Sequence, residues 1–266
     1  MPEKKLRDYF WVWGHHTNCL YGAYGLTRVN DVSPVEGVAY LGATNLVLDI
    51  MDAPVDRREE IGKAKDIPML AWSVMDVAAH PEHITDLIEY KKEFPNLTRG
   101  IFDDFLCPAN TETNYTNYPL EMLTRYREML HAAGLEIWMV LYTENFRVID
   151  KETIQAYVNE FDGVSLWFWN EKEVTDGYDE YVETFFEMTE GTKRMIGCYL
   201  YDFGTEVEAT GEAVVYQLEK EREMIKQGLI EGVVLHTNAV IMQDPFEAVE
   251  AGKKWMDENG DEIITR

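Results

Sequence analysis

The chain has 266 residues, 46% of them hydrophobic and 12% aromatic, enough for one sizeable core. Its 24 Lys and Arg against 49 Asp and Glu give a formal charge of -25 at pH 7, which counts against nucleic acid, anionic membranes and phosphorylated substrates as partners. Cys19, Cys107 and Cys198 are far apart and odd in number, so neither a disulfide framework nor a zinc knuckle is expected. "MPEKKLRDYFWVWGHH" lacks the apolar stretch of a leader, and no run reaches membrane-spanning length, so a cytoplasmic setting is expected.

In chain order, eight short apolar, β-rich runs alternate with helical patterns. "DYFWVWGHH" comes first, then a long loop rich in Gly and Tyr and the weak helical pattern "DVSPVEGVAYLGA". "NLVLDIMD" leads into "PVDRREEIGKAKD", and "IPMLAWSVMD" into "PEHITDLIEYKKEFP". "LTRGIFDDF" is followed by "PLEMLTRYREMLHAAG", whose final Gly134 suits a helix C-terminus. "LEIWMVLYTEN" is followed by "DKETIQAYVNEF", with Asp150 placed to cap it. "FDGVSLWFWN" precedes "GYDEYVETFFEMTEG", and "KRMIGCYLYDF" precedes "GEAVVYQLEKEREMIKQG". "GVVLHTNA" leads to "DPFEAVEAGKKWMDENG", with Pro245 at a first helical position.

Each run is near-continuously apolar, as in a parallel strand covered on both faces. Eight strand–helix units in this length predict a single-domain (β/α)8 TIM barrel over residues 1–266. A doubly wound sheet is the alternative, but no Gly-rich phosphate fingerprint follows the first strand.

In such a barrel the chemistry lies at the C-terminal ends of the strands. The runs end, in order, in Trp13, His15 and His16; Asp49 and Asp52; Trp72 and Asp76; Asp103 and Asp104; Tyr142, Glu144 and Asn145; Trp167, Trp169 and Asn170; Tyr199, Tyr201 and Asp202; His236 and Asn238. No lysine is present for Schiff-base chemistry, and Arg147 is the one nearby cation. Carboxylates beside Trp, Tyr, Asn and His suit a neutral, hydroxyl-rich ligand, and acid–base work on a glycosidic bond needs a pair of carboxyls. The expected catalytic set is Asp103, Asp104, Glu144 and Asp202. The expected substrate-binding set is Trp13, His15, Asp49, Trp72, Tyr142, Trp169, Asn170, Tyr201, His236 and Asn238. No cofactor or metal is called for in this reading.

"FDDF" at the end of the fourth run resembles the Asp-Asp motif of the family 84 glycoside hydrolases, the O-GlcNAcase and hyaluronidase-like N-acetylglucosaminidases. The resemblance implies that Asp103 polarises a substrate acetamido group and that Asp104 is the general acid/base. Asp103 or Asp104, Glu144 and Asp202 also occupy the strand positions of the α-amylase-like catalytic triad. The expectation is therefore a glycoside hydrolase acting on a small-molecule or oligosaccharide substrate. One rival is a metal-dependent isomerase, epimerase or hydrolase using Asp49, Asp103, Glu144, Asp202 and His236 as ligands. The other is a non-catalytic carbohydrate-binding barrel.

Overall fold

The computed structural model describes residues 3–50, 55–74, 80–106, 118–241 and 246–265. Cys107, Asp52, Asp76, Pro245 and most of the segment after the fourth run lie outside them. Eight parallel strands close into a barrel: β1 (Phe10–His15), β2 (Asn45–Asp49), β3 (Leu70–Val74), β4 (Leu97–Phe102), β5 (Glu136–Tyr142), β6 (Gly163–Trp167), β7 (Lys193–Tyr199) and β8 (Gly232–His236). Closure of β8 onto β1 disposes of the doubly wound alternative.

The helices between them are α1 (Pro34–Leu41), α2 (Arg57–Lys63), α3 (Glu82–Glu93), α4 (Leu120–Ala132), the single turn α5 (Asn145–Val148), α6 (Lys151–Val158), α7 (Glu171–Met188), α8 (Gly211–Gln227) and α9 (Glu247–Asn259). Their ends follow local chemistry. Ser33 and Glu36 form a reciprocal capping box ahead of Pro34 in α1, and Asp150 caps α6 through the Thr153 amide. Gly134 follows α4 with φ 73°, the left-handed conformation that glycine adopts freely. Among the described residues no helix is long and apolar enough to cross a membrane.

The two faces of each strand pack differently. Leu46 and Leu48 of β2 join the layer beneath the helices, while Val47 between them points into the barrel. The interior is filled by Trp11, Trp13, Val47, Ala71, Ile101, Trp138, Val140, Trp167, Met195 and Val234. Four indoles fit because small residues lie across the register from two of them. Trp138 pairs with Gly163 and Trp167 with Gly197. A Cβ at Gly163 would come within 2.4 Å of the Trp138 ring, and one at Gly197 within 2.1 Å of the Trp167 ring. Trp138 and Trp167 are therefore packed barrel core, not ligand platforms.

At the N-terminal end of the barrel, Arg99 of β4 lies between the rings of Trp11 and Trp138, 4.7 Å and 4.5 Å from their centroids. Its guanidinium is 3.5 Å from Glu136. The chain ends meet on this side as well, where Lys4–Lys5 pairs antiparallel with Ile263–Ile264 and Asp261 bonds both Lys5 and Arg7.

Candidate functional site

At the opposite end, where the strands finish, a cavity of about 100 Å³ is lined by Trp13, His15, Leu20, Tyr24, Asp49, Asp103, Asp104, Tyr142, Trp169, Tyr199, Phe203 and His236. Strand alternation puts Trp13, His15, Asp49, Tyr142 and His236 there directly. Asp103 and Asp104 enter from the turn that ends β4, and Tyr24 from the long loop after β1.

Asp104 has φ 47°, in the left-handed region that Asp tolerates better than most residues. This conformation folds its amide back to donate to Asp103 Oδ1 at 2.9 Å. Tyr142 donates its hydroxyl to Asp104 Oδ1 at 3.0 Å. Burial pushes the Asp103 carboxyl well above the usual carboxylate range, and the charges of Asp104 and Asp49 add to the effect. Burial raises Asp104 as well, opposed by the Tyr142 hydrogen bond, and less strongly because Asp104 meets solvent at the rim. Burial and the same carboxylates lift the Tyr142 and Tyr199 phenols far above their ordinary value. Of the two adjacent carboxyls the deeper Asp103 is the more strongly raised and the better proton host.

Asp49 accepts from Trp13 Nε1 at 3.0 Å and stands 3.6 Å from His15 Nδ1. His15 Nε2 faces His236 Nε2 at 3.4 Å. Burial lowers both imidazole pKa values, so the pair is neutral at pH 7. Two neutral rings meeting through Nε2 need one donor and one acceptor. The Nδ1 atoms of both His15 and His236 are buried without a hydrogen-bond partner.

Six of the residues expected at the site lie elsewhere or do other work. Trp72 faces outward to Tyr90 of α3, with ring centroids 5.9 Å apart; its neighbour Ala71 points inward, so Trp72 takes the other face of β3. Glu144 is exposed just before α5 and does not line the cavity. Asn170 caps α7 by accepting from the Glu173 amide. Asp202 accepts from the amides of Glu171 and Thr205 at 3.1 and 2.9 Å, pinning two loops. Tyr201 donates to the Tyr24 carbonyl at 2.8 Å. Asn170, Tyr201 and Asp202 line a separate cavity of about 20 Å³ between β7, α7 and α8. Asn238 bonds the backbone of His15 and Val32 and is fully buried.

The site also contains residues outside the expected set: Leu20, Tyr24, Tyr199 and Phe203. Tyr199 closes β7 and alternation alone could have placed it. Leu20, Tyr24 and Phe203 lie on loops that fold back over the mouth, where no periodicity applies. Among the described residues, the three that bring metal-type donors within 4.8 Å of one another are His80, Glu82 and His83, at the exposed start of α3.

No protein-family profile matches the chain. No curated protein matches it by sequence. Solved structures do match in shape. One is the tryptophan synthase alpha-subunit of the hyperthermophile Pyrococcus furiosus, with 14% identity, a TM-score of 0.56, and 96% of this chain and 98% of that one covered. A point mutant of that subunit gives 13% identity and a TM-score of 0.57 over the same shares of both chains. The structure of the a2b2 complex from the same organism gives 12% identity and a TM-score of 0.54, again covering 96% and 98%. At such identities the likeness is one of fold, and it agrees with the (β/α)8 barrel.

These neighbours overturn the glycosidase expectation. They are tryptophan synthase alpha-subunits, not glycoside hydrolases, and nothing matched supports the family 84 resemblance. The hydrolase and carbohydrate assignments fall with it, as do the metal-dependent isomerase and the carbohydrate-binding barrel. The physical reason for the first error is that "FDDF" spans four residues at a position where many barrel chemistries place acids. The amylase-like triad also fails geometrically, since Glu144 and Asp202 do not join the Asp pair. The partner expectation, which named a small-molecule or oligosaccharide substrate and no protein, is corrected too, because a neighbour of this fold assembles with a second protein in the a2b2 complex.

Proposed function

We propose that the barrel mouth is a general acid–base site of the lyase type, in which Asp103, Asp104 and Tyr142 move protons while a bond within one substrate is broken or formed. The observation that carries this reading is the Asp103–Asp104–Tyr142 group. The Asp104 amide donates to Asp103 Oδ1 at 2.9 Å and the Tyr142 hydroxyl to Asp104 Oδ1 at 3.0 Å, which sets a buried carboxyl of raised pKa beside a second carboxyl at the rim. Asp103 delivers a proton to the departing group, and ionised Asp104 takes one from the substrate or passes it through the Tyr142 hydroxyl. Asp49, His15 and His236 hold the far wall and orient the ligand. Enzymes of the same fold that are subunits of a synthase favour this class over hydrolysis. A phosphorylated substrate is disfavoured, since among the described lining residues none is Lys or Arg. The free thiols of Cys19 and Cys198 fit a reducing, cytoplasmic setting.

The test is differential metabolite depletion. Purified protein is incubated with a small-molecule extract beside Asp103→Asn and Asp104→Asn, and mass spectrometry follows each compound. Compounds consumed by the wild type and by neither variant support the reading. Identical depletion by all three proteins removes it.

A further inference from the structure

The mouth pocket is electrically one-sided. Asp49, Asp103 and Asp104 line it, and among its described lining residues there is no cation. Its other walls are mostly aromatic, and four of the ring pairs meet nearly at right angles. Trp169 makes 88° with Tyr142, 86° with Tyr199 and 77° with Tyr24, and Tyr24 makes 85° with Phe203. Rings set this way form the sides of a box. A box of electron-rich rings with carboxylates at one side is the chemistry that receives an organic cation. An anionic ligand would instead meet these carboxyls with no Lys or Arg among the described lining residues to offset them.

Resting on the acid–base reading of this same pocket, we infer that its ligand carries an ammonium group. That group sits among Tyr24, Tyr142, Trp169 and Tyr199, opposite Asp49 and Asp104. The backbone of Tyr24 supports the role: with φ 51°, a bulky ring residue is held in the left-handed region at the rim.

The titratable groups lining the box are His15 on β1, Asp49 on β2, Asp103 and Asp104 after β4, Tyr142 on β5, Tyr199 on β7, His236 on β8 and Tyr24 on the loop after β1, with His16, Cys19 and Glu206 acting on Asp49 or Tyr24 from beside it. Lowered imidazoles and raised phenols stay neutral around pH 7. Affinity for a cation therefore rises with pH as Asp103 and Asp104 ionise, and the rise extends above the ordinary carboxylate range because burial lifts both groups.

The full chain is titrated with choline, with n-butylammonium and with 3,3-dimethylbutanol, the uncharged carbon isostere of choline, by calorimetry and tryptophan fluorescence. Choline is expected to bind roughly tenfold or more tightly than the alcohol. Asp104→Asn is expected to erase most of that preference, with an unchanged circular dichroism spectrum and unchanged binding of the alcohol. Equal affinities, tighter binding of the alcohol, a preference untouched by Asp104→Asn, or no binding of choline or n-butylammonium in the millimolar range would overturn the inference. The acid–base reading fails separately: a cation preference in a protein whose Asp103→Asn and Asp104→Asn variants still turn over substrate keeps the ligand class and removes the chemistry.

Discussion

Strand β4 carries charge at both ends, and the two ends are handled in opposite ways. Arg99, near the bottom, is enclosed by two indole rings and an ion pair with Glu136 at 3.5 Å. Four residues on, roughly 13 Å along the strand, Asp103 meets two further carboxyls and no described cation. The lower charge is compensated, so it serves the fold. The upper one is uncompensated within the described chain, so its protonation state is free to respond to whatever enters the pocket. Folding tolerates such an arrangement only as a local loss of stability, and that is the mark of a site that works on a ligand.

The largest effect that can break this contrast is catalytic. Asp103→Asn and Asp104→Asn should each lower turnover of any identified substrate by about 10²–10⁴-fold, while Arg99→Ala should leave the residual rate per folded molecule near that of the wild type. Steady-state kinetics at matched folded concentration checks both. The pH profile sharpens the assignment. Activity should fall at acid pH as Asp104 takes a proton, and fall again as pH rises through the elevated Asp103 value. A profile with no alkaline limb below the phenol range would remove Asp103 as the acid.

Stability should move the other way at the two ends. Arg99→Ala opens space between Trp11 and Trp138 and is expected to cost about 2–4 kcal/mol in urea unfolding. Glu136 is not left bare in that variant, since Lys193 and Trp138 Nε1 also bond it, so the loss falls mainly on packing. Asp103→Asn should stabilise the protein at neutral pH. The sign follows from the raised carboxyl: the folded state binds that proton more tightly than the unfolded state. Wild-type stability therefore declines as pH rises from the ordinary carboxylate range through the folded value, and the amide escapes that decline. Thermal melts should show a higher Tm for the variant at pH 7, by roughly 2–4 °C for each kcal/mol recovered, and little difference at pH 4. The smallest expected effects are at Glu144 and Trp72, outside the cavity. Glu144→Gln and Trp72→Phe should change ligand affinity by less than about twofold, within the scatter of surface or packing changes.

The sequence was legible where periodicity or end chemistry carries the information. Eight apolar runs became eight strands, and Asp150 and Gly134 ended their helices as expected. The acid pair at the end of β4 lines the mouth with Trp13, His15, Asp49, Tyr142, Trp169 and His236. What failed was the choice of face and the work of polar groups past the strands. A continuously apolar strand such as "LAWSV" does not declare which side is inward, and the bulk of Trp72 drew attention from the register that points it at Tyr90. Asn170, Asp202 and Asn238 sit where ligand contacts are expected, but the loops there have amides and carbonyls to satisfy, and these side chains satisfy them. Tyr24 and Phe203 join the box only because loops distant in sequence fold over it. Arg99 was hidden inside "LTRG", read as the entry to a strand. Reaction class was the least legible, since a carboxylate pair at a strand end is shared by many chemistries.

The most direct test of the account is carbon-detected NMR titration of the Asp103 and Asp104 side-chain carboxyls, in the wild type and in Asp104→Asn. The account predicts that Asp103 keeps its proton to well above the ordinary carboxylate range of about 4, and that removing the Asp104 charge lowers its midpoint without restoring the ordinary value, because burial is the larger cause. An Asp103 that titrates near 4 in the wild type, and does not move when Asp104 is neutralised, would contradict it.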